Sequence, residues 1–486
     1  MKTKNKGLHH KNRIIYRTKS LRSRKKPQNY IENFFQTYLR KNIDVYNLLD
    51  NRPNIFINPS IKPIFLICLV FSIIWLIICT HLSYRWMVDL ADLVTTPIAL
   101  LIVMSIALIP GFMNMYLLVS FLLDKRKTQF EPFYYPSVSV LIAAYNEEKF
   151  IKKTLLSIQK QIYPANIEII LIDDGSTDET MAIAKNALID NLRILKGSHK
   201  GKSHALNIGL VHASHEYIIT IDADTTLDHH AIYELMKKLL SSPKNTVACA
   251  GSVYVKNEDQ SMMTQLQFWD YLLAISIIKR AQSFLQGTLV AQGAFSAYKK
   301  SVLMDIHGWP NLVGEDIVLT WTLLDNDYEI TYAENAIAFT SAPPNYKIFF
   351  HQRARWARGL IEAFRHHKKI LFRKKAFVFF IYWNLFFILI DFIRFFVIIP
   401  GLILMFYGYE LIFGPYLLFL VFTSMINNYI FYMGQKKLFK SFGYYLKLNP
   451  LTFITYSIFY QYLMNLPVIF GYYLEFFKRK KFWGTK

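Results

Sequence analysis

Long apolar runs lie toward both ends of the chain and leave a mixed stretch between them. Residues 63–82 and 96–123 are each long enough to cross a bilayer as a helix, which takes about 20 residues. Residues 376–433 hold two further apolar runs, and residues 451–474 hold another, which Pro467 interrupts. We therefore predict membrane helices on both sides of a central soluble domain.

The central stretch, residues 128–345, alternates short apolar strands with helices. The pattern predicts strands at 138–143, 167–172, 192–195 and 217–221, each followed by a helix or a turn. This alternation is typical of a mainly parallel α/β sheet, in which ligands lie beyond the carboxyl ends of the strands.

Basic segments flank the apolar runs. The first 26 residues carry eleven Lys or Arg and no acid, and no apolar core follows until about residue 63, so they do not form a cleaved signal. Nucleic-acid binding is the alternative, but no recognised motif accompanies the block. The predicted division of the chain is a basic cytoplasmic extension at 1–60, two membrane helices at 61–127, the soluble domain at 128–345, interfacial helices at 346–375, two to three membrane helices at 376–475 and a basic tail at 476–486.

The charge balance favours a membrane surface and anionic partners. The chain has 56 Lys or Arg against 34 Asp or Glu, a net charge of +22. Basic flanks stay on the cytoplasmic side, which suits the N-terminal extension. Three crossings after the domain would place the basic tail outside, so either the charge rule fails there or one of the last three segments does not cross. The three cysteines, Cys68, Cys79 and Cys249, have neither disulfide nor zinc spacing.

Two acids follow the strand predicted at 217–221. Asp222 and Asp224 are separated only by Ala223, and residues two apart on a strand face the same side. Neighbouring carboxylates repel each other unless a cation lies between them, and Mg²⁺ accepts such oxygens together with substrate phosphates. The sequence thus predicts a metal and diphosphate site, with a solvated strand end followed by a turn as the alternative.

Other acids stand where neighbouring elements begin or end. Asp173 and Asp174 follow the strand at 167–172 and reach the same edge of the sheet, although a run such as DGSTD also suits a turn and a helix cap. Glu315 and Asp316 follow Gly314, and an acidic pair is also favoured at a helix N-terminus by the helix dipole.

Basic and aromatic residues complete the candidate chemistry. Lys202 is predicted near a helix start, where it could meet a diphosphate, or it is an ordinary surface lysine. Gln352, Arg355 and Trp356 share one helix face, which offers an indole for a sugar and a guanidinium for a phosphate. The alternative is an amphipathic helix anchored at the membrane interface by Trp and Arg.

Seven stretches of the chain occur together in an order that one family shares. They are SVSVLIAAYNEE at 137–148, LIDDGSTDET at 171–180, GKSHALNIGL at 201–210, DAD at 222–224, AQGAFSAYKK at 291–300, GEDIVLTW at 314–321 and QRARW at 352–356. The chain resembles the membrane-integrated, processive family 2 glycosyltransferases, which include poly-β-1,6-N-acetylglucosamine, hyaluronan, chitin and cellulose synthases. Its layout is most similar to the poly-N-acetylglucosamine group, apart from the basic extension and QRARW in place of the QRRRW often seen in that group.

The resemblance implies a fold and a role for each matching residue. The fold would be of the GT-A type, Rossmann-like and mainly parallel, inserted between transmembrane α-helices. Asp316 would be the catalytic base with Glu315 beside it, and Asp222 and Asp224 would hold Mg²⁺ or Mn²⁺. The nucleotide sugar would contact Ala144, Tyr145, Glu147, Asp173, Asp174, Lys202, Asp222, Gln352, Arg355 and Trp356. The acceptor would contact Gln292, Gly293, Ala294 and Trp356.

The expected activity is inverting, processive transfer of a hexose, with N-acetylglucosamine favoured, from a UDP-sugar to a β-linked exopolysaccharide that leaves through the membrane helices. The expected partners are the donor, the polysaccharide, membrane lipids and small membrane or envelope subunits, with no nucleic acid. The protein would be a multi-pass protein of the plasma (inner) membrane with its catalytic domain in the cytoplasm. The alternatives are a non-processive transferase acting on a lipid and a non-catalytic membrane scaffold or pore.

Overall fold

The central domain is built on one eight-stranded sheet with the strand order β3-β2-β1-β4-β7-β6-β8-β5. The computed structural model describes residues 61–124, 131–197, 199–408 and 416–478, so the predicted basic extension and most of the tail lie outside it. The strands are β1 (Val138–Ala144), β2 (Ile167–Asp173), β3 (Leu192–Lys196), β4 (Tyr217–Ile221), β5 (Thr226–Leu227), β6 (Thr246–Val255), β7 (Phe295–Lys299) and β8 (Glu329–Thr340).

The first half of the sheet is parallel and the second half is mixed. β1 pairs in parallel with β2 and β4, and β2 pairs in parallel with β3. β7 runs antiparallel to both β4 and β6, whereas β8 is parallel to β6. All ten residues of β6 are buried, as expected for strands covered by helices on both faces. The predicted mainly parallel α/β fold is confirmed.

The helices surround this sheet and extend into the flanking apolar segments. In chain order they are α1 (Ile61–Leu93), α2 (Thr96–Val103), α3 (Ile109–Leu123), α4 (Ile151–Gln159), α5 (Thr180–Lys185), α6 (Lys202–His212), α7 (Ala231–Leu240), α8 (Met262–Trp269), α9 (Ser276–Phe284), α10 (Lys300–Asp305), α11 (Glu315–Asp325), α12 (Tyr346–His366), α13 (Val378–Ile393), α14 (Ile399–Phe406), α15 (Tyr416–Ser441) and α16 (Pro450–Phe476).

Within the described residues, four helical stretches are long and apolar enough to cross a membrane. They are Pro63–Leu93, Thr96–Leu123, Val378–Phe406 and Pro450–Phe476. The first runs well past the predicted end at residue 82, because the apolar pattern continues through Trp86 and Leu90, which pack on the second stretch. The break predicted between the third and fourth apolar runs falls largely at 409–415, outside the described residues.

Two of these stretches contain a widened turn just before a proline. Met104–Leu108 and Arg394–Ile398 are π-helical, and Pro110 and Pro400 follow them. Proline has no N–H to donate to the preceding turn, and its ring presses on the carbonyl four residues earlier. A π turn relieves this crowding, so each helix continues past its proline.

The last helix, α16, lies beside α12 over much of its length. Near its start, Thr452 accepts a hydrogen bond from the indole of Trp269 at 3.1 Å. Near its end, Glu475 accepts one from Arg358 of α12 at 2.9 Å. Between them, Gly471 packs so closely on α12 that a Cβ would lie 2.3 Å from the Ala354 carbonyl oxygen. Both ends of α16 therefore contact residues that adjoin the central domain.

Candidate active site

The carboxyl ends of β1, β2 and β4 meet at one edge of the sheet, and several of the predicted site residues lie at or just after these ends. The Asp174 N–H donates to the Ala144 carbonyl at 2.8 Å, which joins the segments after β1 and β2. Tyr145 and Glu147 follow β1, and the Glu147 N–H donates to the Thr180 hydroxyl at 2.7 Å. The parallel register thus places residues distant in sequence at one rim.

Asp222 and Asp224 lie in the turn after β4, not on the strand itself. β4 ends at Ile221, and the Thr225 N–H donates to the Asp222 carbonyl at 2.9 Å, which closes the turn. The prediction that strand alternation makes these two acids face the same way was therefore wrong. They are nonetheless neighbours. Burial raises the pKa of Asp224, and the nearby charge of Asp222 raises it further. Lys256 holds this turn by donating to the Asp224 carbonyl at 2.5 Å.

Lys202 is the cation among these acids. Its ammonium pairs with Asp222, and it lies 3.6 Å from an oxygen of Glu315. Burial acts to lower the pKa of Lys202, but the charges of Asp222 and Glu315 outweigh it and raise that pKa above its usual value. Lys202 begins α6 just after Gly201, whose φ of 97° favours glycine. Gly293 leaves room for the ammonium, since a Cβ there would lie 2.6 Å from it.

Asp174 lies behind the loop that carries Lys202. It is fully buried, and its two carboxylate oxygens accept hydrogen bonds from the Lys200 and Gly201 N–H groups at 3.1 and 2.8 Å. The contacts of Asp174 thus fix the start of α6, and its direct contact with a nucleotide stays a prediction. Asp173 is also buried, and one of its oxygens accepts the Ser176 N–H at 3.0 Å.

A flat aromatic pair stands at the same rim. The rings of Tyr145 and His199 lie 4.4 Å apart and are tilted by 36°. The imidazole of His199 also contacts the Asp174 carbonyl at 3.0 Å. Sequence reasoning missed His199, because its contact with Tyr145 depends on a loop from another part of the chain.

Glu315 and Asp316 begin α11, as the pattern after Gly314 predicts. Glu315 is 4% exposed and Asp316 is half-buried. Burial, and after it the charge of Asp316, raises the pKa of Glu315 to about 7, while Lys202 and Arg355 act against that rise. The charge of Asp316 also acts to raise the pKa of Lys202 and of Lys279, so Asp316 lies near both of these amines.

The segment before β7 closes another side of this space. The amide of Gln292 donates to the Gly251 carbonyl at 2.6 Å, which fixes the segment on β6. Gly293 faces Lys202, and the Ala294 carbonyl accepts the Asp222 N–H at 3.3 Å. The three residues predicted to meet the acceptor therefore border the turn that carries Asp222 and Asp224, which we name the acidic turn.

The helix α12 contributes Gln352, Arg355 and Trp356. Arg355 is close enough to Glu315 to lower its pKa, and Trp356 is 39% exposed. The guanidinium of Arg353 lies 4.1 Å from the centre of the Trp356 ring and pairs with the buried Asp270 at 3.1 Å. Sequence reasoning missed Arg353, although a second arginine inside QRARW was a visible signal. Arg353 orients the indole that could receive a sugar face.

The acids fit a divalent cation only in part. Among the described residues, no group of three or more His, Cys, Asp or Glu side chains is arranged to hold a metal ion. Asp222 and Asp224 supply hard oxygen donors, and Mg²⁺ commonly takes one or two carboxylates with the rest of its ligands from water and phosphate. The residues present thus suit a cation that arrives with a diphosphate.

Comparison with known proteins identifies the domain that carries this site. The Glycosyl transferase family 2 model matches residues 139–306. This part of the chain is a family 2 glycosyltransferase domain. It includes β1 to β7, the acidic turn and Lys202, whereas the Glu315–Asp316 pair and α12 follow it in the chain.

Relatives of the glycosyltransferase domain include synthases of one polysaccharide. The chain is 35% identical over 227 residues to the poly-beta-1,6-N-acetyl-D-glucosamine synthase of Staphylococcus epidermidis, which is 46% of this chain and 54% of that protein. It is 32% identical over 225 residues to the synthase of the same name from Staphylococcus aureus, with the same two coverages. The chain thus spans about half the length of these curated relatives.

Solved structures similar to the chain include a mannosyltransferase from Pyrobaculum calidifontis in complex with GDP-Man and Mn²⁺. It is 18% identical, with a TM-score of 0.48, and the match covers 75% of this chain and 95% of that one. A second is S. aureus TarS in complex with UDP-GlcNAc, 20% identical with a TM-score of 0.32 over 47% of this chain and 67% of that one.

The raised pKa of Glu315 predicts how the stability of the metal-free and nucleotide-free protein depends on pH. Its ordinary value is 4.5 and its value in the fold is about 7, so the folded state loses stability as pH rises through this window. Glu315→Gln removes that dependence. We expect the variant to melt a few degrees above the wild type at pH 8 and to lose this advantage near pH 5, as measured by thermal unfolding in detergent.

The matched control is Glu179→Gln, since the Glu179 side chain is exposed. Its melting temperature should follow that of the wild type at every pH. If Glu315→Gln shifted the melting temperature by the same amount at pH 5 and pH 8, the assignment of a buried, raised carboxyl would be wrong.

Proposed function

We propose that the chain is an inverting glycosyltransferase that transfers N-acetylglucosamine from a UDP-sugar to a growing β-linked polysaccharide. One observation carries the proposal: the ammonium of Lys202 pairs with both Asp222 and Glu315. Asp224, Asp316 and Arg355 act on the same groups through their charges. This space therefore offers a nucleotide-sugar donor the Lys202 ammonium and Arg355 for its diphosphate and carboxylates for a metal ion and a base.

The donor diphosphate binds between Lys202, Arg355 and the acidic turn. Bound Mg²⁺ or Mn²⁺ would be held by Asp222 and Asp224 and would neutralise charge on the leaving UDP. Lys202 gives up part of its pairing with Asp222 as phosphate oxygens arrive, so its ammonium contributes to binding the leaving group. The Tyr145 and His199 rings offer a flat surface for the uracil, next to Asp173 and Asp174.

Asp316 is the base in this mechanism. It accepts the proton of the acceptor hydroxyl as that oxygen attacks the anomeric carbon of the donor, and UDP leaves from the opposite side. One displacement inverts the anomeric centre, so an α-linked donor gives a β-linked product. Trp356 stacks on a sugar of the acceptor, while the Gln292–Ala294 segment borders the acceptor end beside Lys202.

The sugar and the polymeric product are the finer parts of the proposal. They are supported by the printed name of the staphylococcal relatives, poly-beta-1,6-N-acetyl-D-glucosamine synthase, and by the seven stretches of shared sequence. An exposed tryptophan at the edge of the site suits an acceptor longer than a single sugar, because it offers stacking area beyond the reacting residue.

We propose four membrane crossings, made by α1, by α2 with α3, by α13 with α14, and by α15. The last helix, α16, is long and apolar enough to cross but contacts domain-associated residues near both of its ends, at Thr452 and at Glu475. In this arrangement α16 lies along α12 at the cytoplasmic surface. The basic tail then lies on the same side as the glycosyltransferase domain, in agreement with the charge rule.

Sidedness tests this topology. An epitope tag after Lys486 should be removed by protease added to inverted inner-membrane vesicles and should survive in right-side-out vesicles. A tag inserted in the 409–415 segment, between α14 and α15, is the control and should give the opposite result. A protected C-terminal tag in inverted vesicles would show that α16 crosses.

Loss of the base tests the reaction itself. Membranes with the wild-type chain should incorporate radiolabelled N-acetylglucosamine from the UDP-sugar, whereas Asp316→Asn should lower the rate by about 10²- to 10⁴-fold without loss of UDP binding. The exposed Asp305→Asn is the matched control and should remain fully active. Normal incorporation by Asp316→Asn would refute the assigned base.

The length of the product separates the proposal from its rivals. Mass spectrometry of the wild-type product should show a ladder of N-acetylhexosamine units. A lipid that carries one added sugar would favour a non-processive transferase. If the purified wild type neither incorporated the sugar nor released UDP, a membrane scaffold or pore without catalytic activity would be favoured.

A further inference from the structure

The Gly314-Glu315-Asp316 segment is held in place by residues of α12 that lie one to two turns beyond Trp356. The Gly314 N–H donates to the Glu362 carboxylate at 2.9 Å. Glu362 is 1% exposed, so this charged group is kept inside the protein at the start of the catalytic segment. A buried carboxylate that accepts a backbone N–H forms one of the stronger hydrogen bonds in proteins.

The two backbones also approach each other without side chains between them. A Cβ on Gly314 would lie 2.4 Å from the Gly359 Cα, and a Cβ on Gly359 would lie 2.7 Å from the Gly314 Cα. No real side chain tolerates such distances, so both positions require glycine for the observed packing. Gly359 and Glu362 are three residues apart and share one face of α12.

This contact is placed where it can affect chemistry. Gly314 precedes Glu315 and Asp316 directly, and those two acids begin α11. A shift of the Gly314 backbone would move the Asp316 carboxylate relative to the anomeric carbon. Misplacement of a reacting group by about 1 Å can cost about a hundredfold in rate.

We propose that Gly359 and Glu362 form a clamp that positions the catalytic base Asp316, and we name this pair the α12 clamp. Glu362 is a positioning residue, since it acts through the Gly314 N–H. The inference rests on the proposed function, because it assigns to the clamp the placement of the base in that reaction. The helix α12 then has two functions. Its QRARW stretch presents Trp356 to the sugar, and the α12 clamp positions the base.

The clamp predicts a particular kinetic signature. Lys202, Asp222 and Asp224 belong to other segments, and Arg355 lies two turns from Glu362 on a continuous helix, so donor binding should not depend on the Glu362 carboxylate. Removal of its carboxylate should lower kcat for transfer and leave the KM for the UDP-sugar and the affinity for UDP nearly unchanged. A role limited to general stability would affect kcat, KM and UDP affinity together.

Three variants of the full-length protein in membranes test this. Glu362→Met keeps the side-chain length but removes the acceptor oxygen, and it should lower kcat by about 10- to 100-fold, the range expected when a reacting group is displaced by up to about 1 Å. Glu362→Gln keeps an oxygen that can accept the Gly314 N–H and should stay within about threefold of the wild type. Gly359→Ala should lower kcat like Glu362→Met, because the added methyl presses on Gly314.

His366→Gln is the control on the same helix. His366 is exposed at the end of α12, so its replacement should leave kcat within about threefold of the wild type. The inference is overturned if Glu362→Met keeps normal kcat, if it loses UDP affinity in step with kcat, or if Glu362→Gln is as impaired as Glu362→Met. An inactive wild type would instead contradict the proposed function, so the two failures are distinguishable.

Discussion

One ammonium group among several carboxylates is the interaction on which the candidate active site depends. Lys202 pairs with Asp222 and lies 3.6 Å from Glu315, and these residues come from three segments spread over more than a hundred positions of the chain. Burial first, and then the charges of neighbouring acids, raise the pKa values of Asp224 and Glu315, so acids this close repel each other without a cation. The surrounding loops are arranged around this lysine: Asp174 fixes its backbone and Gly293 leaves space for its side chain.

The same site depends on two helices that follow the glycosyltransferase domain, α12 and α16. α12 holds the base segment through Gly359 and Glu362, and α16 in turn holds α12 through Gly471 and Glu475. Buried charge pairs are costly to form and costly to break, so they fix one arrangement of the helices rather than add much net stability. The acidic pair at the start of α11 is thus linked by direct contacts to a helix that is long and apolar enough to cross a membrane.

The sequence predicted the features that local patterns encode. Apolar runs gave β1, β2, β3 and β4 to within about one residue at each end, and acids after those strands were correctly expected at one rim. What local pattern cannot encode is contact between distant segments. It did not show that β4 stops at Ile221 and leaves Asp222 and Asp224 in a turn, because turn geometry there depends on Ala294 and Lys256. It did not show that the Asp174 carboxylate accepts hydrogen bonds from backbone N–H groups, or that the Glu362 carboxylate accepts one from Gly314. Composition indicates that α16 is long and apolar enough to cross a membrane, but it did not show that α16 packs along α12.

An experimental structure of the full chain with UDP and Mn²⁺ tests the central claim most directly. The account predicts the cation on Asp222 and Asp224, the diphosphate within hydrogen-bonding distance of Lys202, and Asp316 facing the side of the leaving group from which an acceptor attacks. A nucleotide bound at another surface, with Lys202 still paired to Asp222 and no cation at the acidic turn, would contradict it.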